Sequence, residues 1–384
     1  MLKMVVGYSE DVDDLDAISE ALDQASDQLG GLAPAAAVLF AGVDYEHEPL
    51  TEAVLGRYPD VKLIGCVADG QMSSASGYVD DGVTLTLFAS DVLDMTTGIG
   101  QNVSSSPVEA SREAAQQAMA GTDKEPALAI AFTDLLQSDL GAVVNTLSDV
   151  LGTDVPVVGG ASAAEDIRAT PWQSHQFYGA EVMSDALPLL LFSGPLKIST
   201  SVAHGWTPTG KPAIVTRSER NRVGAVGDES VIDYYRSYLG DDLGFLMANP
   251  LAVSQGDSFV LRSITGTDET DGTASFMGEV PEGSTVRVSM TTVPDILDAA
   301  AYTVSDALAS FPGPGKPEGA FLVSCAVRKM LLGSHAGEEA EGARAQLGAD
   351  LPMAGFYAWA EIGPLADGLT RLHNATFVTL LIGT

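Results

Sequence analysis

The chain has 384 residues, of which 46% are hydrophobic, and a formal net charge of −33 set by 52 acidic against 19 basic residues. A negative field of this size excludes a nucleic-acid or anionic-membrane partner, and two cysteines in so long a chain make no disulfide framework. The length suits two or more domains, the carboxylates are spread rather than blocked and so read as a solubilising surface, and no apolar run approaches a membrane-spanning length. A cytoplasmic protein is expected.

In chain order, residues 3–8 read as a strand. Asp11 to Leu29 reads as an amphipathic helix, with Leu15, Ile18, Leu22 and Ala25 on one face and Gly30-Gly31 ending it. A unit then follows: strand Ala36–Phe40, a helix over about 48–58, the apolar run Leu63-Ile-Gly-Cys66, a Ser/Gly-rich turn over 71–81, and strand 83–88. A strand over 92–104 and an alanine-rich helix over 107–120 lead to a second copy. That copy has strand Leu128–Phe132, helix Leu140–Leu151, the run Val157-Val-Gly-Gly160, a long turn over 164–180 holding Trp172, His175 and Tyr178, and strand 187–193. Another strand follows over 196–206.

The texture then changes. Glu229 to Leu239 reads as a helix with three tyrosines, and 250–290 as short strands broken by turn signals, an antiparallel insert. After a helix over 294–310 and the break Pro312-Gly-Pro-Gly315, a third copy runs to the end: strand Ala320–Cys325, then Met353-Ala-Gly-Phe-Tyr357 and Glu361, then strand 375–381. The expected fold is α/β, with mixed sheets built from duplicated strand-helix-strand units. The boundaries are an N-terminal domain at 1–224, with similar halves at about 30–100 and 125–200, and a C-terminal domain at 225–384.

A strand that stops at glycine lets the backbone turn sharply or approach a ligand, and ligands of open α/β sheets sit outside the carboxyl ends of parallel strands. Gly65 with Cys66, Gly159 with Gly160, and Gly355 with Tyr357 are therefore candidate ligand-binding positions. The same glycines also suit plain packing. Arg328, one of twelve arginines in an acidic chain, could grip a carboxylate with two hydrogen bonds, or pair with Glu338, Glu339 or Glu361. Glu361 could accept from an amine, and the two together suit a zwitterion. Cys66 and Cys325 could be nucleophiles only with a base in reach, for which His373 is the nearest candidate; buried packing is the plainer reading of both. The five histidines lack metal-ligand spacing, and no glycine run has a phosphate-loop pattern.

Taken in order and spacing, Leu63-Ile-Gly-Cys66, Gly77-Tyr-Val-Asp-Asp81, Val158-Gly-Gly-Ala161, His204-Gly-Trp206, Arg262-Ser-Ile-Thr265, Pro281-Glu-Gly283, Ser324-Cys-Ala-Val-Arg328, Ala360-Glu-Ile-Gly-Pro364 and His373-Asn-Ala-Thr376 resemble the FIST proteins, in which a FIST N-terminal domain precedes a FIST C-terminal domain. The resemblance covers essentially the whole chain. It implies an intracellular module that senses a small ligand, an amino acid or similar carboxylate, and passes its signal to a separate protein such as a histidine kinase. It implies no enzyme activity and no resident cofactor. The alternative it offers is a haem-binding nitric oxide sensor that regulates a histidine kinase; one histidine can hold the iron, and His204, followed by His175 and His373, is the candidate beside aromatic or strand-end positions. One departure is visible: family members commonly carry an acid after the first Gly-Cys turn, where this chain has Gln71.

Overall fold

The computed structural model describes residues 1–134, 139–163, 174–241, 243, 246–256 and 258–384. Trp172 and most of the turn expected over 164–180 lie outside them.

The first unit comprises β1 (Leu2–Ser9), α1 (Asp14–Leu29), β2 (Ala36–Ala41), α2 (His47–Arg57), β3 (Lys62–Val67), β4 (Gln71–Ser73), β5 (Gly77–Val79) and β6 (Val83–Ser90). The second repeats it with β7 (Asp94–Gln101), α3 (Pro107–Ala120), β8 (Pro126–Thr133), α4 (Leu140–Leu151), β9 (Val157–Ala161), β10 (Gln176–Tyr178), β11 (Glu181–Met183) and β12 (Ala186–Ser193). The third opens with β13 (Lys197–Ala203) and is then interrupted. The interruption holds β14 (Thr207–Pro208), β15 (Ala213–Glu219), β16 (Arg222–Val226), β17 (Glu229–Ser230), α5 (Val231–Leu239), β18 (Leu251–Gln255), β19 (Ser258–Arg262), β20 (Ile264–Asp268), β21 (Thr273–Phe276) and β22 (Thr285–Met290). The third unit resumes with α6 (Val293–Ser310), β23 (Gly319–Cys325), α7 (Ala326–Leu332), α8 (Ala336–Leu347), β24 (Met353–Ala358), β25 (Glu361–Pro364), β26 (Thr370–His373) and β27 (Phe377–Gly383).

The fold is thus mixed α/β, built as expected from three copies of the unit, with the insert inside the third. In each sheet the unit's strands stand in the order first, last, second, third, with one parallel pair at the centre: β2 with β3, β8 with β9, β23 with β24. The polar turn expected after each glycine is a short hairpin, and it pairs with a neighbouring unit. The β4–β5 hairpin joins β24, β10–β11 joins β3, and β25–β26 joins β9. The three exchanges close a ring.

The insert is wider than the expected 250–290. It spans β14 to β22 as one antiparallel sheet, in which only Ser263 separates the two edge strands β19 and β20. The boundary placed at 224/225 lies inside β16.

Strand alternation sends one face of each sheet to its helices and the other to a shared core. Val38, Phe40, Ile64 and Cys66 meet Ile130, Phe132, Val158, Phe321, Phe356 and Val378 there. Phe40 stacks on Phe356 at 4.5 Å between centroids, and Phe132 stands edge-on to Phe40 at 5.3 Å and to Phe356 at 5.4 Å. Each such fully buried ring contributes roughly 2–3 kcal/mol, so one apolar centre holds all three units.

The three recurring glycines lie inside their strands, not at their ends. A Cβ on Gly65 would stand 2.0 Å from the Leu39 carbonyl oxygen, on Gly159 1.9 Å from that of Ala131, and on Gly355 2.3 Å from that of Leu322. Their positions are equivalent, and what each requires is close approach of the two parallel strands. Gly160 is different. Its Cβ would meet the Ala360 carbonyl oxygen at 2.4 Å, where β25 of the third unit seats on β9.

Candidate functional site

Just past the glycines, each unit places one buried polar side chain at the first residue of its hairpin. Gln71 lies opposite Phe356, Gln176 opposite Cys66, and Glu361 opposite Gly160. Directly opposed residues of antiparallel strands share a face, so all three point to the inner side of the ring. The two glutamines are fully used. Gln71 donates from Nε2 to the Gly82 carbonyl and accepts from Thr84 Oγ1. Gln176 donates to Ser162 and Ser174 and accepts from the Ala186 amide.

Glu361 is the exception. Its Oε2 accepts from the Thr376 amide at 2.9 Å and hydroxyl at 2.8 Å. Its Oε1 is buried with no hydrogen-bond partner among the described residues. The Cys325 thiol lies beside the same carboxyl, but a thiol is a weak donor. Burial pushes the carboxyl up to about 7, against the pull of the Thr376 bonds. The thiols go the same way: burial raises Cys66, and burial with the Glu361 charge raises Cys325. That is the reverse of what an attacking thiolate requires. His373, opposite Glu361 in the hairpin, is buried, pushed down to about 4 by burial, and has Nε2 against the Gly363 carbonyl.

Arg328 is fully buried in α7, and its partner is Glu339 of α8, not Glu361 or Glu338. Nε and Nη2 donate to Glu339 Oε1 at 2.9 and 2.6 Å, Nη2 also to the Ile296 carbonyl at 2.7 Å, and Nη1 to the His204 carbonyl at 2.6 Å. Glu339 Oε2 in turn accepts from Ser324 at 2.9 Å and Tyr357 at 3.0 Å. Every guanidinium nitrogen is therefore occupied, and a ligand carboxylate would have to displace Glu339. From the sequence Glu339 is one of three acids within reach of Arg328, and Ser324 and Thr376 join the site only through the fold. The acid eleven residues past Arg328, on an alanine-rich helix face, was the available signal.

His204 is held neutral, pushed down to about 4 by burial and by the Arg328 charge. Its Nδ1 accepts the Trp206 amide and its ring packs on Phe259 at 4.9 Å. Only Nε2 is left for an iron.

A second polar group stands nearer the surface, between the first and third units. Lys329 donates to Asp69 at 3.1 Å and contacts Asp80 at 2.7 Å, and Asp80 also takes the Tyr78 hydroxyl. Lys329 holds Asp80 below the usual carboxylate range. These carboxylates are solvent-facing, so Lys329→Met is expected to lower stability by about 1 kcal/mol or less, with the difference shrinking in high salt. Urea unfolding at two ionic strengths measures it.

A three-unit α/β ring and a β insert in its third unit define a two-part architecture. The chain belongs to the FIST family: the FIST N domain model matches residues 35–229 and the FIST C domain model residues 232–364. FIST domains are sensory domains of signal transduction. The chain is 28% identical over 400 residues to an uncharacterized protein of Mycobacterium tuberculosis (strain CDC 1551 / Oshkosh), covering 98% of each, and 26% identical to an uncharacterized protein of Mycobacterium bovis (strain ATCC BAA-935 / AF2122/97), covering 98% and 97%. Among solved structures it is similar to a cyanuric acid hydrolase from A. caulinodans, with a TM-score of 0.41 and 11% identity over 100% of this chain and 99% of that one. No helix among the described residues is long and apolar enough to cross a membrane.

Proposed function

We propose that the chain is a small-ligand sensing module whose ligand offers an amine or ammonium group to Glu361. The observation that carries this is Glu361 Oε1, fully buried with no hydrogen-bond partner among the described residues beyond the weak Cys325 thiol beside the carboxyl, where an unmet polar atom is expensive. The ligand class is an amine-bearing molecule, amino acids included. Its carboxylate, where it has one, would compete with Glu339 for Arg328. The two free cysteines fit a reducing compartment such as the cytoplasm, and the listener is a separate signalling protein, a histidine kinase being the candidate.

The test is ligand-induced thermal stabilisation across a panel of amino acids and simple amines. A cognate ligand at a hundred times its Kd stabilises by about 2.7 kcal/mol, and Glu361→Gln is expected to abolish the shift measured from its own unliganded Tm. A shift of unchanged size in that variant sinks the reading. The haem alternative would use His204 Nε2; a Soret band lost on His204→Ala decides for it.

A further inference from the structure

The insert leaves and rejoins the third unit through a narrow neck. On the outgoing side, Gly205 has φ +87° and packs so tightly that a Cβ would stand 2.4 Å from the Asp295 carbonyl oxygen. Only glycine suits that combination. On the returning side, Thr291 donates its hydroxyl to the Gly205 carbonyl at 2.8 Å. Thr207 then pairs with Met290, where β14 meets β22. Both limbs converge on one side chain. Arg328 Nη1 holds the His204 carbonyl, the last residue before Gly205, and Nη2 holds the Ile296 carbonyl in the first turn of α6.

We infer that Arg328 is a latch: it fixes the two limbs of the insert's neck against each other, and its bond to Glu339 sets whether the insert is held or free to swing. This goes beyond the ligand reading, and does not depend on it. The latch is wired to the ring. Glu339, which aims the guanidinium, is itself aimed by Ser324 at the end of β23 and Tyr357 in β24. The Tyr357 carbonyl accepts from the Asp69 amide, just past β3 of the first unit. Cys325, beside Glu361, lies three residues before Arg328. A shift in the strand ends therefore reaches Glu339 through two hydrogen bonds, and the guanidinium passes it to both limbs at once. Two other hydrogen bonds cross to the insert, the Ser263 amide to Asn374 and Arg262 to the Leu372 carbonyl, and Ala252, Phe259 and Leu261 of the insert pack with Ile296, Val327 and Leu332. Both hydrogen bonds attach to the β26 side, so releasing the neck leaves an off-axis tether and a non-directional apolar contact over which the insert can shift.

The experiment uses the full chain with spin labels at Glu282→Cys in the insert and Glu113→Cys on α3, both exposed, while the native cysteines are buried. Electron–electron distance distributions are compared for the parent, Arg328→Met, Arg328→Lys and Glu339→Gln, with hydrogen exchange on the same proteins. The parent is expected to give one narrow distance. Arg328→Met and Glu339→Gln are expected to broaden it or add a second, and to speed exchange at 205–206 and 291–296 by about tenfold or more with β8 and β9 unchanged. Unchanged distances and neck exchange in a folded variant overturn the latch. So does exchange that rises evenly over the chain, which marks a general stability role. Should Arg328→Met not fold, Glu339→Gln and Arg328→Lys decide the matter by the same readouts.

Discussion

Glu339→Ala lowers the stability of the protein by about 3–5 kcal/mol, the range for removing one member of a buried ion pair. The reason is the state of what remains. Arg328 would keep its carbonyl partners but lose its only carboxylate at full burial, and Ser324 and Tyr357 would lose an acceptor together. Phe377, whose ring lies 5.7 Å from the guanidinium carbon, offers a cation only weak compensation. Glu339→Gln keeps the shape and an acceptor, and is expected to lose less. The double variant Arg328→Met with Glu339→Met is expected to lose less than the sum of its singles, because neither half is then left uncompensated. Chemical denaturation of the four proteins of that cycle gives the coupling directly; a sum that is additive shows that the pair does not act as one.

The second large effect is a dependence of stability on pH set by Glu361. Its carboxyl is raised from 4.5 to about 7 in the fold, so the folded state binds the proton more tightly than the unfolded chain does. The stabilisation is therefore complete below about pH 4.5 and is lost as pH rises through about 7, by roughly 3 kcal/mol in total. Glu361→Gln puts at this position the neutral amide that the other two units already use, and is expected to remove this component, so that the stability of the parent relative to the variant falls by roughly 3 kcal/mol as pH rises from about 4.5 through 7. Cys325, raised, titrates above that interval, whereas His373 and His204, lowered from 6.5 to about 4, cost stability as pH falls from 6.5 to 4 in both proteins alike, so the Glu361 contribution is read from the difference between them. Carboxylates held low by exposed cations, Asp80 and Asp367 among them, act in the opposite sense and only in acid. Urea midpoints at half-unit pH steps in both proteins test the assignment; parallel curves reject it.

Much of this was legible in the residues. Helix 107–120 is found at its expected bounds because Pro107 presets its first turn and Gly121 stands at its end. The three central strand pairs follow from uninterrupted apolar runs, which buried parallel strands require. The hairpins were not legible. Three-residue strands such as Gln71–Ser73 are too short to show a period, and nothing local says that they pair with another unit. The glycines misled for a physical reason: a residue without Cβ serves a turn and a tight strand contact equally well. The equivalence of Gln71 and Glu361 was within reach, since each lies six residues past its glycine. The longer connection in the second unit, which puts Gln176 seventeen past Gly159, hid the third member. Arg328 stands out in an acidic sequence, but the helix turn that brings Glu339 to it is a tertiary fact.

The exchanged hairpins bear on how such a chain comes off the ribosome. Met72 waits for Gly355, roughly 280 residues later, before its hairpin has a strand to pair with. During synthesis the first unit emerges with the outer edge of β4 open and the edge of β3 open until Gln176–Tyr178 arrives. Exposed edges of this kind invite pairing with other nascent chains. The strongly acidic surface, with a net charge of −33, sets like charges between such intermediates and holds them apart.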